Sequence, residues 1–343
     1  MNRFEWVSAR DVATAARAGS VTVAEAMLTK SGQPGTSAVI LKAGGIDVLD
    51  LMKEGLLNAR QVVNIRNIPD LGRIVEAPGG ALRVGSMVTL AQLAEHPLVR
   101  ARYGALAQAA GRSASPQIRH VATIGGNLLQ RPRCWYFRSL HHHCLRKGGE
   151  TCFAFAGENQ YHAIFGHDGC AIVHPSTAAT ALVAFNATVE MVGAEGAERV
   201  VVLETFLLTP DEDIERENDL KPGEILTSVI LPPLRAGVRS RHLRLGELES
   251  FDWPIADVAV VIELDSQDKC SHASVVLGAA APVPYRAKSA ESALIGKRIS
   301  DDTARGAASA AIAGAAPLSK NGYKLPIFEA LVRRAILGAA NSA

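Results

Sequence analysis

The chain is 343 residues long, 48% hydrophobic and 20% charged, with 36 Lys and Arg against 34 Asp and Glu for a formal charge of +2. That balance suits a packed globular protein of roughly two domains, and it gives no basic face with which to hold nucleic acid or an anionic membrane. No apolar run approaches the ~18 residues that span a bilayer, so membrane insertion is not expected.

The opening stretch MNRFEWVSARDVATAARAGSV has neither the continuous apolar core of a secretory signal nor a twin-arginine pair. A cytoplasmic location is therefore expected, with periplasmic export on a partner subunit's signal as the alternative. Next, SAVILKAGGIDVLDLMKEGLL reads as a strand (Ala38 to Leu41), a Gly-Gly turn, and a helix with Val48, Leu49, Met52 and Leu56 on one face. QVVNIRNI, RIVEA and ALRVGSMV are short strands, and a helix is predicted from Thr89 to Arg112 with one break near Pro97. Beyond residue 176, TAATALVAFNATVEMVG is a helix passing into a strand, and RVVVLETFLL and EILTSVILPP are strands flanking an acidic loop. A boundary is placed at Pro232-Pro233. After it come two hairpin strands, DVAVVIELD and HASVVLGAAAPVPYRA, and Ala-rich helices from 287 onward.

Three stretches could carry chemistry. Ala43-Gly44-Gly45 stands where a strand enters a helix, a place where backbone N–H groups and the helix dipole can hold phosphate, although a glycine doublet also makes an ordinary turn. It is neither a P-loop nor a Gly-x-Gly-x-x-Gly fingerprint. RHVATIGGNLLQ (119–130) is a second glycine stretch with the same two readings. Immediately after it, four of the five cysteines, Cys134, Cys144, Cys152 and Cys170, fall within 37 residues, separated by 9, 7 and 17 residues. Those gaps are too long for a zinc knuckle. Soft thiolates in a reducing compartment favour an iron–sulfur cluster, for which four cysteines are the usual complement. A Cys2His2 zinc site drawing on His141, His142, His143, His162, His167 or His174 stays open, as do buried free thiols. Cys270, a hundred residues on, reads as a bystander.

Taken in order, LKAGGIDVLDLMK, SPQIRHVATIGGNLLQ, VVLGAAAPVPYRAKSAESALIGK and NGYKLPIFEALVRRAIL resemble the FAD-binding (medium) subunit of the xanthine dehydrogenase and aldehyde oxidase family of molybdenum hydroxylases. The cysteine stretch is similar to the 4Fe-4S loop of the family's bacterial periplasmic aldehyde oxidoreductase branch. The resemblance implies an α+β chain: a two-part FAD-binding domain of PCMH type (vanillyl-alcohol-oxidase-like) over residues 1–235, with an iron–sulfur loop at 131–173, then a C-terminal α/β domain of CO dehydrogenase flavoprotein type over 236–343. It also implies that Ala43, Gly44, Gly45, Ile46, Asp47 and Val48 hold the FAD pyrophosphate. Thr123, Gly125, Gly126 and Asn127 would line a second flavin contact, and His174, Pro175 and Ser176 a flavin-facing loop, while Cys134, Cys144, Cys152 and Cys170 ligate the cluster. Two positions depart from the family: Ile46 replaces a hydroxyl residue, and Thr177 replaces an Asp.

The function so implied is electron transfer, with no catalytic residue assignable to this chain. A large partner bearing the molybdenum cofactor would oxidise an aldehyde or an N-heterocycle such as xanthine, and a small partner with two 2Fe-2S clusters would feed the FAD. The rival readings are a stand-alone FAD oxidoreductase and a zinc-stapled binding module without flavin.

Overall fold

The computed structural model describes residues 1–19, 21–27 and 38–342. Twelve strands among them form three sheets. In the first, β1 (Glu5–Ser8), β2 (Val39–Lys42) and β3 (Gln61–Asn64) are parallel in the order β1-β3-β2, with Val62 opposite both Trp6 and Ile40. The helix Ile46–Lys53 follows β2 and presses Leu51 and Met52 into a core with Ile40 and Val62. Val48 and Leu49 are only half-buried at its edge, and Leu56 reaches the same core from beyond the helix end.

The second sheet runs β4-β5-β8-β6-β7, all antiparallel, from β4 (Ile74–Glu76), β5 (Leu82–Gly85), β6 (Thr188–Val192), β7 (Glu198–Val202) and β8 (Ile225–Leu231). Strands from before and after the cysteine stretch thus share one sheet, which makes that stretch an excursion from a closed unit. RVVVLETFLL is a strand only as far as Val202, since a helical turn, Leu203–Phe206, follows it.

The expected helix from Thr89 to Arg112 is three helices, Leu90–Glu95, Pro97–Arg102 and Gly104–Gly111. Pro97 makes the first break, as its missing N–H and ring require. The second break is tertiary: Tyr103 leaves helical geometry so that its buried ring meets Phe185 edge-on at 5.2 Å and its hydroxyl donates to the Pro232 carbonyl at 2.7 Å.

The third sheet, ordered β12-β11-β10-β9, is antiparallel and contains β9 (Val238–Leu245), β10 (Ala256–Leu264), β11 (Cys270–Gly278) and β12 (Tyr285–Arg286). Pro232 and Pro233 lie between β8 and β9. The near-continuous apolar run of β10 is explained by burial on both faces. Val258, Val260 and Ile262 meet helices Lys288–Leu294, Asp301–Ile312 and Lys324–Ala340, whereas Ala259 and Val261 join the core of the preceding unit. Alanines 304, 307, 308, 311, 335 and 339 are all buried, and their small side chains let the helices lie close to the sheet.

Candidate functional site

A cleft of about 490 Å³ opens between the first two sheets, within the range of small-molecule sites. Ala43, Gly44, Gly45, Ile46, Asp47 and Val48 form one wall, and Thr123, Gly125, Gly126 and Asn127 another. The two glycine stretches therefore meet in space. They do so by backbone contact, since a Cβ on Gly44 would stand 2.2 Å from the Val121 carbonyl oxygen; Gly125 in turn lies close to the end of β5, where its Cβ would stand 3.0 Å from the Ser86 carbonyl oxygen. Gly45, at φ +88°, adopts a left-handed geometry suited to glycine and caps the helix Ile46–Lys53 without a side-chain bond. The first-turn N–H groups of that helix have no intrahelical acceptor, so they can face an anion in the cleft.

The second stretch differs. Thr123 Oγ1 accepts from Gly126 N at 3.2 Å, while Ile124 N and Gly125 N donate to the carbonyls of Val88 and Ser86. Its donors are spent on building the wall. Asn127 is fixed by Ser176, whose hydroxyl donates to Asn127 Oδ1 at 2.5 Å and accepts from Ala179 N as the cap of helix Thr177–Ala184. Pro175 and Thr177 line the cleft. His174 and Ser176 sit behind its surface: His174 is fully enclosed, its Nδ1 accepts from Ser176 N at 3.3 Å, its Nε2 has no partner among the described residues, and burial lowers its pKa to about 4.

Asp47 faces the cysteine stretch. Its carboxylate accepts from Arg131 N (2.8 Å) and pairs with Arg133 (2.8 Å) and Arg138 (2.7 Å). Asp50 pairs with the same two arginine side chains. Thr177 likewise uses its hydroxyl on Ser113 Oγ at 2.6 Å.

All four clustered cysteines line one small chamber behind this wall, together with Tyr136, Phe137, Arg146, Phe153 and His162. Each sulfur has backbone N–H groups directed at it: Phe137 and Tyr136 toward Cys134, Arg146 and Lys147 toward Cys144, Ala171 and Ala154 toward Cys152, and Ile172 toward Cys170. Burial pushes the Cys134 thiol up to about 12 and raises Cys144. Cys152 and Cys170 share a hydrogen bond that raises the former and draws Cys170 down to about 6, with Arg146 adding to the second effect. Among the described residues no three Cys, His, Asp or Glu side chains meet at the spacing of a single metal ion. Four sulfurs lining one chamber, each with a backbone donor, are a donor set that would suit an iron–sulfur cluster.

Among the described residues His162 is the one histidine directed at a cysteine by a hydrogen bond, Nε2 to Cys134 Sγ at 3.3 Å, and burial and then Lys324 hold its pKa near 4. His142 is bonded to Ser139 and wedged edge-on against Tyr136 and Phe153; His143 and His167 are bonded to the carbonyls of Lys147 and Ala316. Cys270 is buried far along the third sheet, in a core with Val260 and Ile262.

Several lining residues were not singled out from the sequence. Arg131 and Glu217 line the cleft, Arg146 lines the chamber, and Phe251, Asp252, Trp253 and Pro254 close the cleft from the third sheet, with Arg133 stacked on Trp253 at 4.7 Å. RPRCWYFR does display the arginines, yet nothing near Glu217 in sequence marks it as their partner.

Comparison with known proteins decides the family. Residues 3–234 match the FAD binding domain in molybdopterin dehydrogenase, and residues 243–339 match the CO dehydrogenase flavoprotein C-terminal domain. The chain belongs to this flavoprotein family. It is 32% identical over 306 residues to the aldehyde oxidoreductase FAD-binding subunit PaoB of Escherichia coli, covering 89% of this chain and 91% of that one. Among solved structures, carbon monoxide dehydrogenase from Hydrogenophaga pseudoflava, in a form lacking the Mo-pyranopterin moiety, superposes with a TM-score of 0.71 at 27% identity, covering 99% of this chain and 97% of that one. Reconstituted CO dehydrogenase from Oligotropha carboxidovorans gives a TM-score of 0.74 at 22% identity, covering 100% and 99%, a likeness of fold. The α+β class, the order of the two domains, FAD binding and membership of an oxidoreductase family agree with the expectation from sequence.

Proposed function

We propose that this chain is the FAD- and 4Fe-4S-binding electron-transfer subunit of a molybdenum hydroxylase acting on an aldehyde or an N-heterocycle. In this reading a large partner holds the molybdenum cofactor and oxidises the organic substrate, and a small partner with two 2Fe-2S clusters delivers electrons, which leave for an external acceptor. The supporting observation is the chamber: four thiols from a stretch that begins at the second flavin wall converge on one point, separated from the cleft by Arg131, Asp47 and Glu217.

Bound FAD would supply the conversion of single electrons into pairs, and a cluster would supply one-electron storage. The protein's own part is positioning. Gly44, Gly45 and the first turn of helix Ile46–Lys53 present N–H groups and a positive helix end to the diphosphate. Cys134, Cys144, Cys152 and Cys170 hold the cluster, their thiolate charge offset by backbone N–H groups and by Arg146 and Lys147. Asp47 ties the two sites together through its three arginine contacts.

Purifying the chain with its partners and measuring flavin absorbance, iron and acid-labile sulfide tests this. About four irons and one flavin per chain are expected, by the definition of the cluster. One zinc without iron would replace the reading with the zinc-stapled module, and turnover of an organic substrate by the isolated chain would replace it with a self-contained flavin oxidoreductase.

A further inference from the structure

Three charged side chains lie between the cleft and the chamber, and all three are buried: Arg131, Arg146 and Glu217 are 2%, 1% and 3% exposed. Glu217 is shared. Its Oε1 accepts from Arg146 Nη1 at 2.8 Å, and its Oε2 is 3.2 Å from Arg131 Nε. Two guanidiniums against one carboxylate leave an excess positive charge away from water. The donors are far from satisfied, because Arg131 Nη1 and Nη2 and Arg146 Nε and Nη2 reach no acceptor among the described residues at hydrogen-bond geometry. A buried unpaired guanidinium N–H costs free energy, and each of these arginines faces a ligand site: Arg131 lines the cleft, while Arg146 lines the chamber beside Cys170.

We propose that Arg131, Glu217 and Arg146 form a buried charge bridge between the two sites, in which Arg146 raises the reduction potential of a cluster held by the four cysteines and Glu217 sets how far. This rests on the cluster reading given above. One-electron reduction of a thiolate-bound cluster adds one negative charge to a site already anionic, so a fixed cation beside Cys170 stabilises the reduced form. Removing the carboxylate that offsets this cation strengthens the effect. Burial keeps the interaction strong and shields it from salt. Glu217 comes from the loop preceding β8, 47 residues beyond Cys170, so a segment that lines the cleft also adjusts the chamber.

The test is an EPR-monitored redox titration of the assembled complex, at low and at high salt, on Glu217→Gln, Arg146→Gln and Arg146→Lys. The expected result is a shift to higher potential for Glu217→Gln, a shift to lower potential for Arg146→Gln, and a much smaller shift for Arg146→Lys, each persisting at high salt. A merely structural role would not give shifts of opposite sign. Unchanged potentials, or shifts of one sign in Glu217→Gln and Arg146→Gln, would overturn the proposal. If Arg146→Gln does not assemble, the other two variants decide it: a higher potential in Glu217→Gln beside a near-native one in Arg146→Lys supports the bridge, and any other pair of results sinks it. Wild-type complex with no iron and no EPR signal would remove the cluster reading itself, an outcome distinct from iron-loaded variants that fail to shift.

Discussion

The cleft and the cysteine loop meet along Asp47 but are built by opposite means. The cleft is made of regular elements brought close by residues without side chains: Gly44 against the Val121 carbonyl, Gly125 against Ser86. The loop over 131–173 has almost no regular structure beyond one 3-10 turn, Leu145–Lys147. It is held by side chains that bond to backbone far away in sequence. Asn321 Nδ2 donates to the carbonyls of His162 and Ala163, Lys324 Nζ donates to that of His162, and the Asn159 amide donates to the Ala154 carbonyl and accepts from Lys320 N. Main-chain packing shapes the first region and polar side chains the second. Substitutions should therefore fail differently in each, by collision in the cleft and by orphaned carbonyls in the loop.

The largest expected effect separates the loop's cysteines from the bystander. On the proposed cluster reading, serine at Cys134, Cys144, Cys152 or Cys170 should abolish most of the iron content while leaving flavin bound, because each would replace a soft thiolate ligand in a shared chamber. Cys270→Ser should leave iron unchanged and cost only packing. Equal iron in all five variants would remove these four residues as ligands.

Next in size is a pH effect centred on His174, behind the cleft wall. A histidine held neutral in the fold, with its pKa lowered from 6.5 to about 4 by burial, takes up a proton mainly in the unfolded chain across that window. Its contribution to stability is therefore complete above about pH 6.5 and is lost as pH falls toward 4, by roughly 3 kcal/mol over the whole window. His174→Asn keeps an acceptor for Ser176 N, and its denaturant midpoint should fall less steeply with acidification than that of the wild type. Parallel pH profiles would show that His174 titrates normally.

Two substitutions then compare the regions directly. Gly44→Ala forces a Cβ against a carbonyl oxygen that cannot rotate away, and should cost about 1–3 kcal/mol along with flavin. Gly72→Ala, with open space around it, should cost nothing measurable. In the loop, Asn321→Ala strips the Ala163 carbonyl of its donor and leaves that of His162 to Lys324 alone, and should cost about 1–3 kcal/mol, with faster proteolysis of the loop and flavin retained. Flavin loss in Asn321→Ala and retention in Gly44→Ala would invert the comparison.

The same contrast explains what could be read in advance. Strand β2, its glycine turn and the helix after it follow from local periodicity, and so does the pairing of β10 with β11. The break at Tyr103 does not, because it is imposed by Phe185 and Pro232 at long range. Strand β9, VRSRHLRL, carries three arginines and a buried His242 on Asp257, and its polar composition conceals an edge strand. The cysteines were visible as a cluster from spacing, but the chamber depends on partners such as Asn321 and Glu217, which no local pattern connects to it.

The smallest effect concerns Ile46, where a member of this family would commonly carry a hydroxyl. The side chain is 37% exposed and lines the cleft at the first turn of its helix, so a serine there needs no repacking of the core. A serine hydroxyl beside an anion held by the same turn adds one hydrogen bond to a charged acceptor, worth about 1 kcal/mol net. That corresponds to roughly fivefold tighter FAD. Ile46→Ser should show this in flavin reconstitution of the deflavinated complex, with iron content unchanged. Thr177 offers no such gain, since its hydroxyl is already engaged by Ser113 and the residue is buried. Unchanged or weaker flavin binding in Ile46→Ser would mean that the diphosphate does not lie over this turn, and the cleft would then need another arrangement of its ligand.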